Sequence, residues 1–248
     1  MAKRLFSPYE LNHLRKYGFP DPDPNLFGEK PVEYLTGHAQ FCELDFLVNS
    51  STLIPRLESE KIVKLALDFI EKNELTHPAI ADIGSGSGCL GLSLASILLK
   101  RQIPYTIYLS DISLPALQTA RENAQRLIFS PANLFFQESD LFESYPRIKF
   151  DLIVANLPYI PTANISTLPS SVKNFEPLPA LDGGPGGTTV INRLLKQLPR
   201  FLSSQGMAIL EIDDTYSVED FIFPKNLDPS IEKDLYGAPR FLIIIPRS

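Results

Sequence analysis

Short apolar runs alternate with amphipathic stretches from Ala79 onward. The runs have the length of buried strands, and the stretches between them repeat apolar residues near the 3.6-residue period of a helix. Predicted strands are 79–83, 105–109, 134–136, 151–155 and 207–212, and predicted helices are 90–99, 115–127 and 190–202. Repeated strand-helix-strand units predict an α/β fold with a mostly parallel sheet and helices on both faces. The apolar run 241–245 predicts one more strand, of undetermined direction.

The residues before Ala79 follow a different pattern. Residues 9–17 have a modest helical periodicity, and the three prolines that follow prevent the helix from continuing. Approximate alternation over 41–48 predicts β structure, and 62–70 repeats apolar residues at helical spacing. We therefore predict a short N-terminal arm over residues 1–30 and one principal domain over 31–248.

Composition narrows the class of protein. A chain of 248 residues with 44% hydrophobic content can bury a full core, and its net charge of -6 provides no global cationic field for nucleic acid. Its 2 cysteines are too few for a disulfide framework or a four-cysteine zinc site. The 3 histidines are dispersed and predict no metal site. With no signal-peptide or membrane-spanning run, the sequence predicts a cytoplasmic protein.

A glycine-rich loop follows the predicted strand 79–83. The segment 82–88 reads Asp-Ile-Gly-Ser-Gly-Ser-Gly and enters a helix at once, so its backbone can approach a ligand closely. Gly86, Gly88 and Gly91 fit the dinucleotide pattern G-x-G-x-x-G. Asp82 with Gly84, Gly86 and Gly88 resembles motif I of the S-adenosylmethionine methyltransferases. The loop alone does not decide between the two cofactors.

Two further acids follow the next two strands. Asp111 stands where a carboxylate can accept both ribose hydroxyls, and Asp140 precedes Leu141 at the position where methyltransferases commonly contact adenine. Each acid alone could be a helix cap. Three acids and a glycine loop at successive strand ends favour a nucleoside ligand.

The fourth strand leads directly into Asn156-Leu157-Pro158-Tyr159, a segment that we call the tetrad. It resembles the Asn-Pro-Pro-Tyr motif of amino-methyltransferases that act on planar nitrogens; the alternative is an ordinary proline turn. The lone pair of such a nitrogen is delocalised, so its N–H bonds must be held by acceptors. The Asn156 side-chain oxygen and the Leu157 carbonyl can accept them, and the Tyr159 ring can cover the planar group. With the upstream loop, the tetrad favours S-adenosylmethionine over a dinucleotide.

Several other segments carry a more specific resemblance. They are 31–37 (Pro-Val-Glu-Tyr-Leu-Thr-Gly), 53–60 (Leu-Ile-Pro-Arg-Leu-Glu-Ser-Glu), 175–184 (Phe-Glu-Pro-Leu-Pro-Ala-Leu-Asp-Gly-Gly), 210–212 (Leu-Glu-Ile) and 233–235 (Lys-Asp-Leu). With the glycine loop and the tetrad, they resemble the protein-glutamine methyltransferases of peptide chain release factors, the PrmC/HemK family. The resemblance implies a Rossmann-like S-adenosylmethionine-dependent fold, with a glutamine in the Gly-Gly-Gln loop of a release factor as the methyl acceptor.

The resemblance also implies roles for individual residues. The cofactor-binding residues would be Gly84, Ser85, Gly86, Ser87, Gly88, Asp111, Asp140, Leu141 and Asn156. The catalytic residues would be Asn156, Pro158 and Tyr159, and the substrate would be held by Asn156, Leu157, Pro158, Tyr159, Arg56 and Glu58. Alternatively, Glu58 and Glu60 complement the N-terminus of the following helix.

The chain departs from the family pattern at three places. Leu157 and Leu57 replace prolines, and the family's helical N-terminal domain is reduced to the short arm. The Asn-Leu-Pro-Tyr spelling also resembles the adenine N-methyltransferases of ribosomal RNA, which makes nucleic-acid methylation the runner-up. A further alternative is an S-adenosylmethionine-binding scaffold without activity. The net negative charge of the chain and the segment 175–184 favour glutamine methylation over nucleic-acid methylation.

Overall fold

The computed structural model describes residues 4–127 and 133–247. Its strands are β1 His38–Phe41, β2 Leu44–Leu47, β3 Ala79–Ile83, β4 Thr106–Asp111, β5 Leu134–Glu138, β6 Phe150–Ala155, β7 Leu202–Glu211, β8 Leu227–Lys233 and β9 Pro239–Pro246. Its α-helices are α1 Pro8–Lys16, α2 Pro24–Phe27, α3 Val32–Thr36, α4 Glu60–Lys72, α5 Cys89–Lys100, α6 Leu114–Arg126, α7 Ser170–Lys173 and α8 Thr189–Phe201. None of these helices has both the length and the apolar content needed to cross a membrane.

A seven-stranded sheet forms the centre of the fold, in the order β5-β4-β3-β6-β7-β9-β8. Strands β3 to β7 are parallel, and β9 lies antiparallel between β7 and β8. After β3 the chain builds outward to β5 and then returns to place β6 on the other side of β3. Ligands of such sheets bind beyond the carboxyl ends of the strands where the order reverses.

Helices cover both faces of the sheet. On one face α4 and α5 bury apolar residues such as Ile62, Ile70 and Leu94 against the strands. On the other face α8 buries Ile191, Leu195 and their neighbours. Because both faces are covered, the inner strands consist mainly of apolar residues. The predicted α/β fold with a mostly parallel sheet is confirmed.

The strand boundaries differ from the prediction, mostly at polar ends. Strand β4 runs on through Ser110 to Asp111, and β5 runs on to Glu138, because the ladder bonds come from the backbone and polar side chains do not end them. The run 241–245 belongs to the antiparallel strand β9. Strand β8 was not predicted, because this edge strand has exposed polar residues and contains Pro229, which an edge tolerates.

The N-terminal segment packs on the rest of the chain. Leu14 of α1 is fully buried, the Tyr17 ring stacks on His38 at 4.4 Å, and the Tyr17 hydroxyl donates to Asp45 at 2.7 Å. The β structure predicted over 41–48 is the second half of a hairpin formed by β1 and β2. Cys42 and Glu43 make its turn with φ of 47° and 61°, as a two-residue hairpin turn requires.

Candidate active site

A cavity of about 530 Å³ opens beyond the carboxyl ends of β3, β4 and β6. This volume lies within the usual range for small-molecule sites. The predicted site residues that line it are Arg56, Gly84, Ser85, Gly86, Ser87, Asp111, Asp140, Leu141, Asn156, Leu157 and Pro158. Gly88, Glu58 and Tyr159 do not line it. The structure therefore brings most of the predicted cofactor-binding and substrate-binding residues to one cavity.

The glycine loop presents its backbone to this cavity. Gly84 and Gly86 have φ of 70° and 54°, which other residues rarely adopt. A Cβ on Gly84 would come within 2.8 Å of Leu157 Cδ2, so the loop packs directly against the tetrad. A Cβ on Gly86 would meet no atom within 4 Å, because this position faces open space. Helix α5 begins directly after the loop and directs its N-terminus to the same region.

Two carboxyl groups brace the loop. Asp82 lies beneath it, fully buried, and its Oδ2 accepts from the Gly91 N–H at 2.8 Å. Within the described part of the chain, Asp82 Oδ1 has no partner, and burial raises the pKa of this carboxyl to about 7. Asp111 accepts from the N–H groups of Gly86 and Ser113, each at 2.8 Å, and burial raises its pKa too. Asp111 thus joins the end of β4 to the middle of the loop.

The next acid along the sheet edge is paired with a cation. Asp140 accepts from Arg193 of α8 at 2.7 Å, and both residues line the cavity. Leu141 follows with a φ of 52° and is 6% exposed. Arg193 was not predicted, because an arginine on the polar face of a helix has no local signal in the sequence.

The tetrad is held by side chains from distant segments. Asn156 Nδ2 donates to Ser59 Oγ at 3.1 Å, and the Ser59 hydroxyl donates to Glu211. The Tyr159 hydroxyl donates to the other oxygen of Glu211 at 3.2 Å. Tyr159 therefore points towards Glu211 and not into the cavity. Burial raises the pKa of both Tyr159 and Glu211.

The segment 178–187 supports the backbone after the tetrad. Ile160 N–H donates to the Leu181 carbonyl at 3.1 Å, and Gly183 N–H returns a bond to the Ile160 carbonyl at 2.9 Å. A Cβ on Gly183 would lie 2.8 Å from the Pro158 carbonyl oxygen, so only glycine permits this approach. The Ala-Leu-Asp-Gly-Gly sequence thus has a structural role beside the tetrad.

An ion pair connects two segments of the family resemblance. Arg56 contacts Glu176 at 2.5 Å, and the Glu176 side chain is only 1% exposed. The backbone N–H of Ile54 also donates to Glu176, at 3.4 Å. Glu58 is exposed, whereas Glu60 accepts from the Cys42 N–H at 2.6 Å. Glu60 therefore begins α4 and also fixes the hairpin turn.

Neither Ser59 nor Glu211 was predicted as a site residue. A signal for Glu211 was present, since it is the one charged residue of the apolar run 207–212, and a charged side chain in a buried strand requires partners. No comparable signal marks Ser59. A serine before a helix is ordinary, and only the fold shows what it contacts.

The cavity fits S-adenosylmethionine. Open space at Gly86 leaves room for a ligand against the loop backbone, and Asp111 offers a carboxylate at the end of β4, where a ribose would lie.

Comparison with known proteins agrees with this geometry. Residues 77–228 match a family model described as a methyltransferase domain. A methyltransferase from Pyrococcus furiosus superposes with a TM-score of 0.55 at 15% identity, covering 83% of this chain and 89% of that one. At this identity the likeness concerns the fold alone. The predicted Rossmann-like methyltransferase fold and the predicted cofactor, S-adenosylmethionine, are confirmed.

Relatives with more similar sequences define the family. A release factor glutamine methyltransferase from Koribacter versatilis is 32% identical, over 98% of this chain and 90% of that protein. One from Moorella thermoacetica is 40% identical over 77% of this chain, and the match spans 65% of that protein's length. One from Leptospira interrogans is 35% identical over 97% of this chain and 84% of that protein. The chain therefore belongs to the release factor glutamine methyltransferase family.

Proposed function

We propose that this protein transfers a methyl group from S-adenosylmethionine to the side-chain amide nitrogen of a glutamine in the Gly-Gly-Gln loop of a peptide chain release factor. The relatives named release factor glutamine methyltransferases support this activity and this partner. The observation that carries it is the tetrad at the cavity, beside the glycine loop, with Asn156 and Leu157 both lining the space.

The cofactor would occupy the side of the cavity formed by β3, β4 and the segment after β5. Its contacts would be the backbone of residues 84–88, the Asp111 carboxylate for the ribose, and Asp140 with Leu141 near the adenine. When bound, S-adenosylmethionine supplies a methyl group on a positively charged sulfonium. The raised pKa of Asp111 reflects burial, and hydroxyl donors from a ribose would favour its charged form.

The tetrad would hold the acceptor amide. Asn156 uses its Nδ2 for Ser59, which leaves its side-chain oxygen available for one N–H of a glutamine amide. No donor from the described part of the chain bonds to the Leu157 carbonyl, so this oxygen is available for the second N–H. Holding both N–H bonds fixes the plane of the amide and presents its nitrogen for in-line attack. Leucine in place of proline at 157 retains this carbonyl.

We assign Tyr159, Arg56 and Glu58 to roles other than holding the acceptor amide. Because the Tyr159 hydroxyl is bound to Glu211 and the ring does not line the cavity, we assign Tyr159 to supporting the tetrad from behind. Arg56 stands at the cavity, fixed by Glu176, where it can contact the backbone of an entering loop. Glu58, exposed beside it, would contact the body of the substrate protein.

Methylation of adenine in nucleic acid has less support. Proteins that bind nucleic acid gain most of their affinity from Lys and Arg side chains that contact phosphates. Of the described residues that line the cavity, the only cations are Arg56 and Arg193, and both are paired with carboxylates. The charge at the cavity therefore favours a protein substrate.

Mass spectrometry tests the proposed function directly. The enzyme is incubated with S-adenosylmethionine and a purified release factor, and the tryptic peptide that contains the Gly-Gly-Gln loop is examined. We expect one added methyl group on the glutamine, and far less methylation in the same time with the Asn156→Ala variant. Absence of transfer by the folded wild-type enzyme, or transfer to ribosomal RNA in its place, would overturn the proposal.

Calorimetry tests the cofactor side independently of the substrate. S-adenosylhomocysteine should bind, and NAD should not bind in preference to it. This measurement needs no release factor, so it separates a failed cofactor assignment from a failed substrate assignment.

A further inference from the structure

Glu211 is a buried acid beside the tetrad. It ends β7, and the ladder pairs Ala155 of β6 with Leu210, so the next residues on the two strands, Asn156 and Glu211, lie side by side at the sheet edge. Glu211 is 2% exposed. An ionised carboxyl in such a place is costly unless its oxygens accept hydrogen bonds.

Both oxygens of Glu211 contact residues that bear on the tetrad. One accepts from the Tyr159 hydroxyl at 3.2 Å, and the other accepts from the Ser59 hydroxyl, whose oxygen in turn is 3.1 Å from Asn156 Nδ2. The first and last residues of the tetrad are therefore both tied to one carboxyl group. Ser59 itself is 2% exposed and immediately precedes α4, which packs on β6 and β7.

The chain of hydrogen bonds has a direction. An ionised carboxylate only accepts, so the single hydroxyl proton of Ser59 is used towards Glu211. Ser59 Oγ can then only accept from Asn156, which requires the amide NH₂ of Asn156 to face Ser59. The orientation of an asparagine amide is decided by such networks. With its NH₂ so placed, Asn156 turns its oxygen away from Ser59, where an N–H donor can reach it.

The surroundings of Glu211 act on its charge in both senses. Burial raises its pKa above the ordinary value; the hydrogen bonds from Ser59 and Tyr159 and the positive charge of Arg240 offset only part of this rise, and Glu58 adds to it. Arg240 is the nearby cation, and it also contacts Asp214 and Asp234.

We propose that Glu211 and Ser59 are positioning residues for the acceptor amide. They fix the Asn156 carboxamide with its oxygen available for the substrate, and Glu211 anchors Tyr159 at the other end of the tetrad. Both act through the tetrad: Ser59 lines the cavity, but its hydroxyl is engaged by Glu211 and Asn156. The inference deepens the proposed function and rests on it, since the group to be positioned is the glutamine amide.

Kinetics of a small set of variants tests the proposal. Ser59→Ala should lower kcat by roughly 10- to 100-fold, as expected for a small misplacement of a reacting group. KM for the release factor and the affinity for S-adenosylhomocysteine should change by less than about 3-fold, because uniform binding is retained. Ser59→Thr, which restores the hydroxyl, should recover most of the loss.

Glu211→Gln tests the carboxylate at constant shape. Its amide nitrogen would donate where an acceptor is needed, so a loss comparable to that of Ser59→Ala is expected. Glu232→Gln is the matched control. Glu232 is exposed on β8, and Phe241 of β9 lies between it and Glu211 in the sheet. It should have wild-type rates. Thermal unfolding of each variant shows which of them are folded.

A double-mutant cycle separates positioning from a merely structural role. If Ser59 acts through Asn156, adding Ser59→Ala to Asn156→Ala should cause little further loss of kcat. Additive losses would overturn the proposal, as would wild-type kcat in folded Ser59→Ala.

A spectroscopic measurement makes the test independent of activity. The Asn156 side-chain NH₂ signals, identified by their absence in Asn156→Ala, should exchange slowly with solvent in the wild type and rapidly in Ser59→Ala. Equal exchange rates in the two proteins would overturn the proposed chain even in an active enzyme. Conversely, slow exchange in a wild type that methylates no release factor would support the chain and refute the proposed substrate.

Discussion

The two sides of the cavity are built in different ways. On the cofactor side, the key bonds join residues close in sequence: Asp82 to Gly91, 9 residues apart, and Asp111 to Gly86, 25 apart. On the substrate side, Asn156 bonds to Ser59 across 97 residues, and Ser59 to Glu211 across 152. The first side uses backbone N–H groups as donors, whereas the second uses side chains.

This difference has a physical basis. A backbone loop that approaches a ligand needs glycine at fixed positions, and an acid at a strand end follows from the register of neighbouring strands. A series of hydrogen bonds between side chains has no such local requirement, because any segment that reaches the site can supply a hydroxyl or a carboxyl. We therefore expect changes on the first side to alter cofactor affinity and changes on the second side to alter turnover.

Asn156→Ala should give the largest effect. Loss of one preorganised hydrogen-bonding group typically lowers kcat by roughly 10²–10³-fold, and Asn156 is the acceptor that the transition state needs. Its effect on S-adenosylhomocysteine affinity should be smaller. The measurement is the initial rate on a release factor at saturating cofactor. Asn156→Asp, which keeps the size and adds a charge, is the companion variant. Near-normal turnover in folded, cofactor-saturated Asn156→Ala would show that the tetrad is not the glutamine-binding site.

Asp111→Ala should show the converse pattern. Loss of a hydrogen-bonded charged group should weaken S-adenosylhomocysteine binding by about 1.5–3 kcal/mol. The kcat at saturating cofactor should stay near the wild-type value. Because Asp111 also accepts from the Gly86 and Ser113 N–H groups, Asp111→Asn, which keeps one acceptor oxygen, should lose less. An unchanged affinity in calorimetry would mean that Asp111 only caps the turn.

Glu176→Gln should mainly affect stability on the substrate side. It deprives Arg56 of its ionised partner, but the Arg56 side chain is 36% exposed and can be hydrated. We expect a loss of about 1–2 kcal/mol in the free energy of unfolding, measured by urea denaturation. Glu232→Gln, at an exposed acid that does not line the cavity, is the control. Equal midpoints for the two variants would show that the Arg56 pair contributes nothing to the substrate side.

Arg193→Ala should give the smallest effect. Its pair with Asp140 is partly exposed, and such pairs contribute at most about 1 kcal/mol. The affinity for S-adenosylhomocysteine should therefore change by less than about 5-fold. A larger loss in calorimetry would show that Arg193 itself contacts the cofactor and that the cofactor side also depends on distant side chains.

The sequence by itself determined the fold class, the family, the glycine loop, the acids of the sheet edge and the tetrad. The fold class follows from periodicity, and the family follows from the resemblance of several segments to known members. The loop, the acids and the tetrad each follow a strand that the apolar pattern predicts. The pattern was weaker where burial is low: the edge strand β8 was missed, and β4 and β5 continue past their apolar residues because backbone bonds extend the ladder.

Tertiary structure alone decided what surrounds the tetrad. Only the parallel register of β6 and β7 places Glu211 beside Asn156, and only the packing of α4 brings Ser59 between them. It also turned Tyr159 away from the cavity and paired Arg56 with Glu176. Such contacts leave no periodic signal, because a side-chain hydrogen bond depends on where two strands or a helix end in space and not on the residues next to it.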